Sequence, residues 1–345
     1  MQQMNTVRLL KTSTKANNAK LLCEPVPSPG QHQVLIKVHA ASLNYRDLAL
    51  LRGEYPAETK KDVIPLSDGA GEVVAVGKEV TRVKPGDRVL VTCNTAWIGG
   101  PSIAEYRRTS VGFTIDGMLA EYAVFYEDAL VQIPDYLSYV EAASLPCAAV
   151  TAWVGLNKIE PLQPGHTVLV QGTGGVSLFA LQFAKILGAR VLAITSSDEK
   201  AGKLKELGAD TVVNYSTCPA WDREILALTD GKGVDKVLDI AGEKTIVKSG
   251  ASTKIGGVIV AVGFASGFGG GLPPIDILTR NLTVTGSSIG SRLDFEAMLA
   301  AMVRHETRPV IDQVYPLAEY REAYRRLESG QHVGKVVILV TQPAI

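Results

Sequence analysis

Two rhythms of apolar and polar residues divide the chain. Over the first part, short apolar runs alternate with turn residues. Residues 34–40 and 69–76 read as strands, and residues 88–91 read as a third, entered through the turn Pro85-Gly86-Asp87. Strands and turns this closely spaced predict a partly closed β-domain. Residues 94–117, with Trp97, Gly99-Gly100-Pro101 and Gly112, break that rhythm. An irregular excursion of this length serves either as a wall or lid of a site or as a packed surface loop.

From residue 139 the spacing changes. Residues 140–156 have helical periodicity, and apolar strands at 167–171, 190–194, 211–213, 236–240, 257–262 and 282–285 then alternate with helical patterns. Such alternation predicts a parallel sheet with helices on both faces, and six strands make a complete dinucleotide-binding fold. In the tail, residues 295–305 and 317–328 read as helices and 334–340 as a strand, expected to return to the first domain. The expected division is 1–138 with 306–345 for the β-domain and 139–305 for the α/β domain. The fold class is therefore α/β, with a partly closed β-domain beside a doubly wound parallel sheet.

The sharpest motif lies at the first α/β strand. There Val168-Leu-Val-Gln-Gly172-Thr-Gly174-Gly175-Val176-Ser177 leads into an apolar helix pattern. Gly172 permits a tight turn, Gly174 lets backbone approach a pyrophosphate, and Gly175 and Val176 open the helix whose N-terminus faces that charge. Ser177 fills the third small position, where helix packs on strand. No Gly-Lys-Ser/Thr follows, which excludes a P-loop.

The next strand tip decides between cofactors. NAD-binding folds usually place an acid there, about 20 residues past the glycines, to hold the ribose hydroxyls. Here the tip is Thr195-Ser196-Ser197, with Lys200 one helical turn on. Small hydroxyls leave room for a 2′-phosphate, and Lys200 supplies a cation, so the expected cofactor is NADPH. The competing reading turns Asp198 inward and selects NAD.

Composition adds exclusions. The 345 residues carry 35 basic and 35 acidic side chains, a formal net charge of zero, which gives no electrostatic reason to expect nucleic acid or an anionic membrane. No apolar run of about 18 residues occurs and no leader is apparent at the N-terminus, so a cytoplasmic protein is expected. Cys23, Cys93, Cys147 and Cys218 lie far apart with no Cys-x-x-Cys pair, which argues for reduced, mostly buried thiols.

Taken together, these segments resemble the medium-chain dehydrogenase/reductase superfamily in its zinc-free, quinone-oxidoreductase-like branch. The resemblance is carried nearly end to end by Ala41-Ser-Leu-Asn44-Tyr-Arg-Asp47, Gly69-Ala-Gly71, Lys84-Pro-Gly-Asp-Arg-Val89, Leu145-Pro-Cys-Ala-Ala-Val-Thr151, the glycine turn, Gly286-Ser-Ser-Ile-Gly290-Ser291-Arg292 and Gly334-Lys335. It implies a GroES-like catalytic domain built from both chain ends, a Rossmann domain inserted between them, a cofactor cleft between the two, and a homodimer through Rossmann sheet edges at residues 282–285. For the cofactor it points to Thr151, Tyr215, Gly263-Phe264, Gly290-Ser291-Arg292 and Lys335, the last expected at a phosphate. Asn44 and Tyr55 match positions lining nicotinamide and substrate, and both can donate hydrogen bonds. Arg46 and Asp47 could pair behind them.

The same comparison addresses zinc. Zinc-dependent relatives have a cysteine where Asn44 stands, a His-Glu pair where Ser67-Asp68 stands, and a second cysteine matching Cys147. One thiol cannot hold a catalytic zinc, which needs three protein ligands. No metal is expected. Hydride transfer to a small molecule without a Lewis acid favours a quinone or an α,β-unsaturated carbonyl, whose developing oxygen charge a few donors can stabilise. A metal-free ketone, alcohol or imine oxidoreductase and a non-catalytic NADPH-binding protein stand as alternatives.

Overall fold

A computed structural model describes residues 2–10, 18–55 and 58–341. The chain separates into two compact units, Met1–Val150 with Ser291–Ile345, and Thr151–Gly290.

The first unit opens with an antiparallel hairpin of β1 (Gln3–Leu10) and β2 (Asn18–Pro25). There follow β3 (Gln33–Ser42), α1 (Tyr45–Leu51), β4 (Asp68–Val76), β5 (Arg88–Val91), β6 (Tyr122–Tyr126), β7 (Leu130–Gln132) and α2 (Tyr139–Ala142). Helix α3 (Ala148–Asn157) spans the boundary. The helical stretch expected over 140–156 is thus two helices. Pro146 lies in the break; proline lacks an N–H and disfavours helical backbone at the residue before it.

The second unit contains β8 (Thr167–Gln171), α4 (Gly175–Ile186), β9 (Arg190–Thr195), α5 (Asp198–Glu206), β10 (Thr211–Asn214) and α6 (Trp221–Ala227). It continues with β11 (Val234–Asp239), α7 (Ile246–Ser252), β12 (Thr253–Ala261), α8 (Pro274–Arg280) and β13 (Thr283–Gly286). Its six strands are parallel in the order β10-β9-β8-β11-β12-β13, the doubly wound order expected, with β13 at one edge. Val168, Leu169 and Val170 of β8 are all buried, which is why that strand reads as an unbroken apolar run.

The chain then re-enters the first unit as α9 (Arg292–His305), β14 (Ile311–Pro316), α10 (Tyr320–Glu328) and β15 (Lys335–Leu339). Strand β15 pairs antiparallel with β3, so the tail joins the main sheet of the first unit, ordered β14-β15-β3-β4-β5-β7 with β6 also paired to β3. The division differs from the one expected at 138/139 and 305/306. Helix α2 packs on β3, β4 and β15, and α9 packs on β7, so both belong with the β-unit although their periodicity groups them with the helices of the other.

One buried charge shapes the second unit. Lys236, on β11, is 2% exposed, and its ammonium donates to the carbonyls of Leu156 (2.7 Å), Lys158 (3.1 Å) and Glu160. It thereby caps the end of α3, where carbonyls lack helical partners. Burial lowers its pKa to about 8. Lys236→Met should destabilise the protein by about 2–4 kcal/mol, because it leaves acceptors unsatisfied. An unchanged urea midpoint would refute that role.

Candidate functional site

The glycine turn has the geometry a phosphate needs. Gly172 adopts φ 78°, and its N–H donates to the Ile194 carbonyl at 2.7 Å, locking the turn between β8 and β9. Gly174 is the N-cap of the twelve-residue α4, and a Cβ built there meets nothing within 4 Å. Gly175 and Val176 form the first helical turn, whose N–H groups lack helical partners. The Ser177 hydroxyl donates to the Gln171 carbonyl at 2.6 Å, which explains a small polar residue at the third position. An open space before a helix N-terminus fits a pyrophosphate.

The tip of β9 is also where the sequence placed it. Ser197 caps α5, accepting from the Lys200 N–H at 3.3 Å, and the buried Thr195 hydroxyl has no partner among the described residues. Asp198 accepts from the Asn214 side chain at 2.8 Å. Its Oδ1 is therefore engaged with β10. The Ser196 carbonyl is held by the Ser216 hydroxyl at 2.8 Å. Tyr215 is 41% exposed at the end of β10, and its N–H donates to the Thr195 carbonyl.

Other expected cofactor residues carry structural contacts of their own. The Thr151 hydroxyl donates to the Ser288 carbonyl at 2.8 Å. Gly263 follows β12, where a Cβ would meet the Ile240 carbonyl at 2.2 Å, and Phe264 stacks on Phe268 at 4.6 Å. Gly290 ends the second unit. Ser291 caps α9 in a reciprocal pair with Asp294, and Arg292 donates to Asp128 Oδ1 at 3.0 Å. In the excursion, Trp97 is buried, donates to the Gly100 carbonyl at 3.0 Å and stacks on Tyr106, so it packs its own loop.

A network around Asp239, not foreseen from the sequence, supports this side. Buried at the end of β11, Asp239 accepts from the Gly242 N–H, the Thr245 hydroxyl and the Ser249 hydroxyl at 2.8, 2.8 and 2.6 Å. Gln171 donates to Ser249 at 2.8 Å. The loop after β11 is thus tied to the strand that carries the glycine turn. Gln171 ending an apolar strand directly before the turn was the available signal.

In the first unit Asn44 and Lys335 meet around one buried ammonium. Lys335 is 3% exposed and donates to the Leu43 carbonyl at 2.7 Å and to Asn44 Oδ1 at 2.5 Å, with Asp68 Oδ2 3.5 Å away. The structure therefore gives Lys335 to the turn before α1 and to Asp68, where a phosphate contact was expected. Its grip on Oδ1 fixes the Asn44 amide. The buried Asn44 Nδ2 has no partner among the described residues. Tyr55 packs edge-on against Phe113 at 4.6 Å, and the Arg46 guanidinium lies over the same ring. Arg46 also donates to the Val111 carbonyl at 2.8 Å.

The zinc positions take an unexpected form. Cys147 is joined by Cys93, whose proximity the sequence did not show: both sulfurs and an Asp68 oxygen lie within 4.8 Å of one another. The donors are nonetheless already engaged. Asp68 Oδ1 accepts from the Ser67 hydroxyl at 2.7 Å and from Cys93 Sγ at 3.7 Å. Its Oδ2 accepts from the Cys147 N–H at 3.2 Å and faces Lys335. The thiol of Cys147 and burial together push the Cys93 thiol well above its ordinary pKa. A carboxylate with four polar contacts, beside an ammonium and a protonated thiol, does not fit a catalytic zinc as its next ligand. Of the four cysteines Cys23 is exposed, contrary to the expectation of mostly buried thiols.

Asp47, on α1, is fully buried and accepts from the Asn44 N–H at 2.8 Å. Burial pushes its carboxyl up to about 6, against the opposing charge of Arg46 and the Asn44 hydrogen bond. Between its ordinary value of 3.8 and about 6, the folded protein keeps a proton that the unfolded chain has released. Stability from this group is therefore present at low pH and lost as pH rises through that window, by on the order of 2–3 kcal/mol. Asp47→Asn should remove that part of the slope in denaturant titrations; parallel curves for both proteins would disprove it.

Comparison with known proteins agrees with this layout. Residues 30–135 match the family described as alcohol dehydrogenase GroES-like domain, and residues 175–304 match the zinc-binding dehydrogenase family. A zinc-type alcohol dehydrogenase-like protein of Schizosaccharomyces pombe is 42% identical over 319 residues, covering 91% of this chain and 92% of its own. The crystal structure of a putative alcohol dehydrogenase from Sinorhizobium meliloti 1021 superposes with a TM-score of 0.91 at 37% identity, covering 99% of both chains. A quinone oxidoreductase from Pseudomonas syringae gives a TM-score of 0.82 at 28% identity, covering 98% of this chain and 100% of that one. With its GroES-like unit and its inserted Rossmann unit both matched, the chain belongs to the medium-chain dehydrogenase/reductase superfamily of oxidoreductases.

Proposed function

We propose that this oxidoreductase transfers hydride from NADPH to a quinone or an α,β-unsaturated carbonyl, with protein donors in place of a metal. The observation that carries the reading is the Asn44 amide. Its oxygen is held by Lys335 at 2.5 Å, and its buried N–H group has no partner among the described residues. A buried donor left unpaired costs about 1–3 kcal/mol unless something binds it. An acceptor oxygen that gains negative charge during reduction is such a partner, and a preorganised donor stabilises that charge most in a dry site. The Lys335 ammonium polarises the amide from its other end and strengthens the donor. Tyr55 is the candidate for a second donor or for the proton.

The nicotinamide supplies the hydride when bound. Gly172, Gly174 and Gly175 give its pyrophosphate an open approach to the N-terminus of α4. Ser196, Ser197 and Lys200 hold the 2′-phosphate, and the engagement of Asp198 with Asn214 supports NADPH over NAD. Lys200→Glu should raise the KM for NADPH at least tenfold while leaving NADH little changed. Equal effects on both cofactors would remove the assignment.

The alcohol dehydrogenase relatives favour a second reading, reduction of a simple ketone. Measuring NADPH oxidation with a quinone, an enone and a ketone separates the two. Turnover is expected on the first two, undiminished after dialysis against a chelator. Asn44→Asp keeps an acceptor for Lys335 but removes the donor, so kcat should fall about 100-fold in it as in Asn44→Ala. Turnover confined to the ketone, or full activity in Asn44→Asp, would overturn the proposal.

A further inference from the structure

Cys93 and Cys147 take no part in the hydride chemistry, yet their sulfurs share one small space beside a carboxylate. The two Sγ atoms and an Asp68 oxygen lie within 4.8 Å of one another. The two thiols differ in access, Cys93 being buried and Cys147 partly exposed. Asp68 holds both residues: Cys93 Sγ–H donates to Oδ1 at 3.7 Å, and the Cys147 backbone N–H donates to Oδ2 at 3.2 Å. The backbone of Cys93 is fixed as well, its carbonyl accepting from the Val111 N–H at 2.9 Å. Rotation about the Cα–Cβ bonds is the freedom left, and a disulfide asks the sulfurs to close to ~2.05 Å.

The positive charge of Arg46 acts on both sulfurs, and Lys335 stands 3.5 Å from Asp68. The thiolate is the form that attacks, and Cys147 is the thiol of the pair that a solute can reach. The same cations oppose a dication, which would also have to pull Asp68 away from Ser67 and Lys335.

We propose that Cys93 and Cys147 are an oxidation site at which hydrogen peroxide forms a reversible disulfide. The accessible Cys147 thiolate attacks one peroxide oxygen. The S–O bond forms as the O–O bond breaks, and the departing hydroxide takes up a proton to leave as water. The Cys93 sulfur then attacks the Cys147 sulfenic acid. The S–S bond forms, the S–O bond breaks, and the Cys93 proton passes by way of Asp68 Oδ1 to the leaving hydroxide. Two thiols lose two electrons and two hydrogens, and the peroxide becomes two waters. The cross-link ties the segment after β5 to the segment before α3, beside the carboxylate that faces Lys335, so oxidation should depress turnover.

The test treats reduced full-length protein with hydrogen peroxide, blocks free thiols with iodoacetamide, and maps tryptic peptides by mass. A Cys93–Cys147 linked peptide is expected, lighter by two hydrogens and lost on treatment with dithiothreitol, in the wild type and in Cys23→Ser alike. In Cys93→Ser the link should be absent, and Cys147 sulfenic acid should be trapped by dimedone. Three results would overturn the site: Cys147 still alkylated after the exposed Cys23 has oxidised, Cys147 linked to Cys23 or Cys218 instead, or a tightly bound zinc per chain that protects both thiols. The peptide map of the wild type decides this without any turnover measurement, so its outcome stands apart from that of the hydride assay.

Discussion

A buried ammonium must find oxygen, and that demand organises the first unit. Lys335 lies near the end of the chain, and its partners Leu43, Asn44 and Asp68 lie near the beginning. Unpaired, such a charge would be very costly in a low-dielectric interior, so the contacts and the return of the tail to the sheet require one another. The pairing of β15 with β3 brings Lys335 within reach, and Lys335 in turn fixes the turn before α1 and the orientation of the Asn44 amide. Asp47 then closes that turn from inside, accepting the Asn44 N–H although burial makes its charge expensive.

The second unit solves a different problem, how to leave backbone donors unpaired without losing the fold. Gly174 opens α4 beside unfilled space, and the N–H groups of the first helical turn lack helical partners. Around them several buried polar groups are tied to one another. Ser177 closes on Gln171, Gln171 on Ser249, and Asp239 on Gly242 and Thr245 of the following loop and Ser249 of α7. A rigid surround lets the turn stay open, so that an anion placed there would meet the N–H groups with little reorganisation.

Asp68, Cys93 and Cys147 draw three separate segments of the first unit to one buried carboxylate. Where the resemblance to zinc-dependent relatives implies ligands, this chain has Asn44 and Ser67, and Cys147 lies beside Cys93 from the segment after β5. The carboxylate between them is balanced by an ammonium. In the proposed reaction a substrate oxygen would be stabilised by the Asn44 amide, which suits acceptors whose charge is already delocalised.

The sequence by itself determined the α/β class, the six-strand order of events, the glycine turn and the hydroxyl-bearing tip of β9. These are local: each depends on residues adjacent in the chain, and burial on both sheet faces writes itself as unbroken apolar runs. The hairpin of β1 and β2, the short β7 and the edge strand β14 were not legible, because half-exposed or three-residue strands leave little periodicity. Nor was the partner of Lys335, which was read as a phosphate ligand, or the meeting of Cys93 with Cys147. Those contacts join residues far apart in sequence, and the antiparallel pairing of β3 with β4 and β15 and of β4 with β5, with α2 packed on β3 and β4, brings them to one place. Tertiary structure decided which polar side chains are already satisfied and which, like the Asn44 amide, are left with a hydrogen bond to give, because satisfaction belongs to a pair of groups in space.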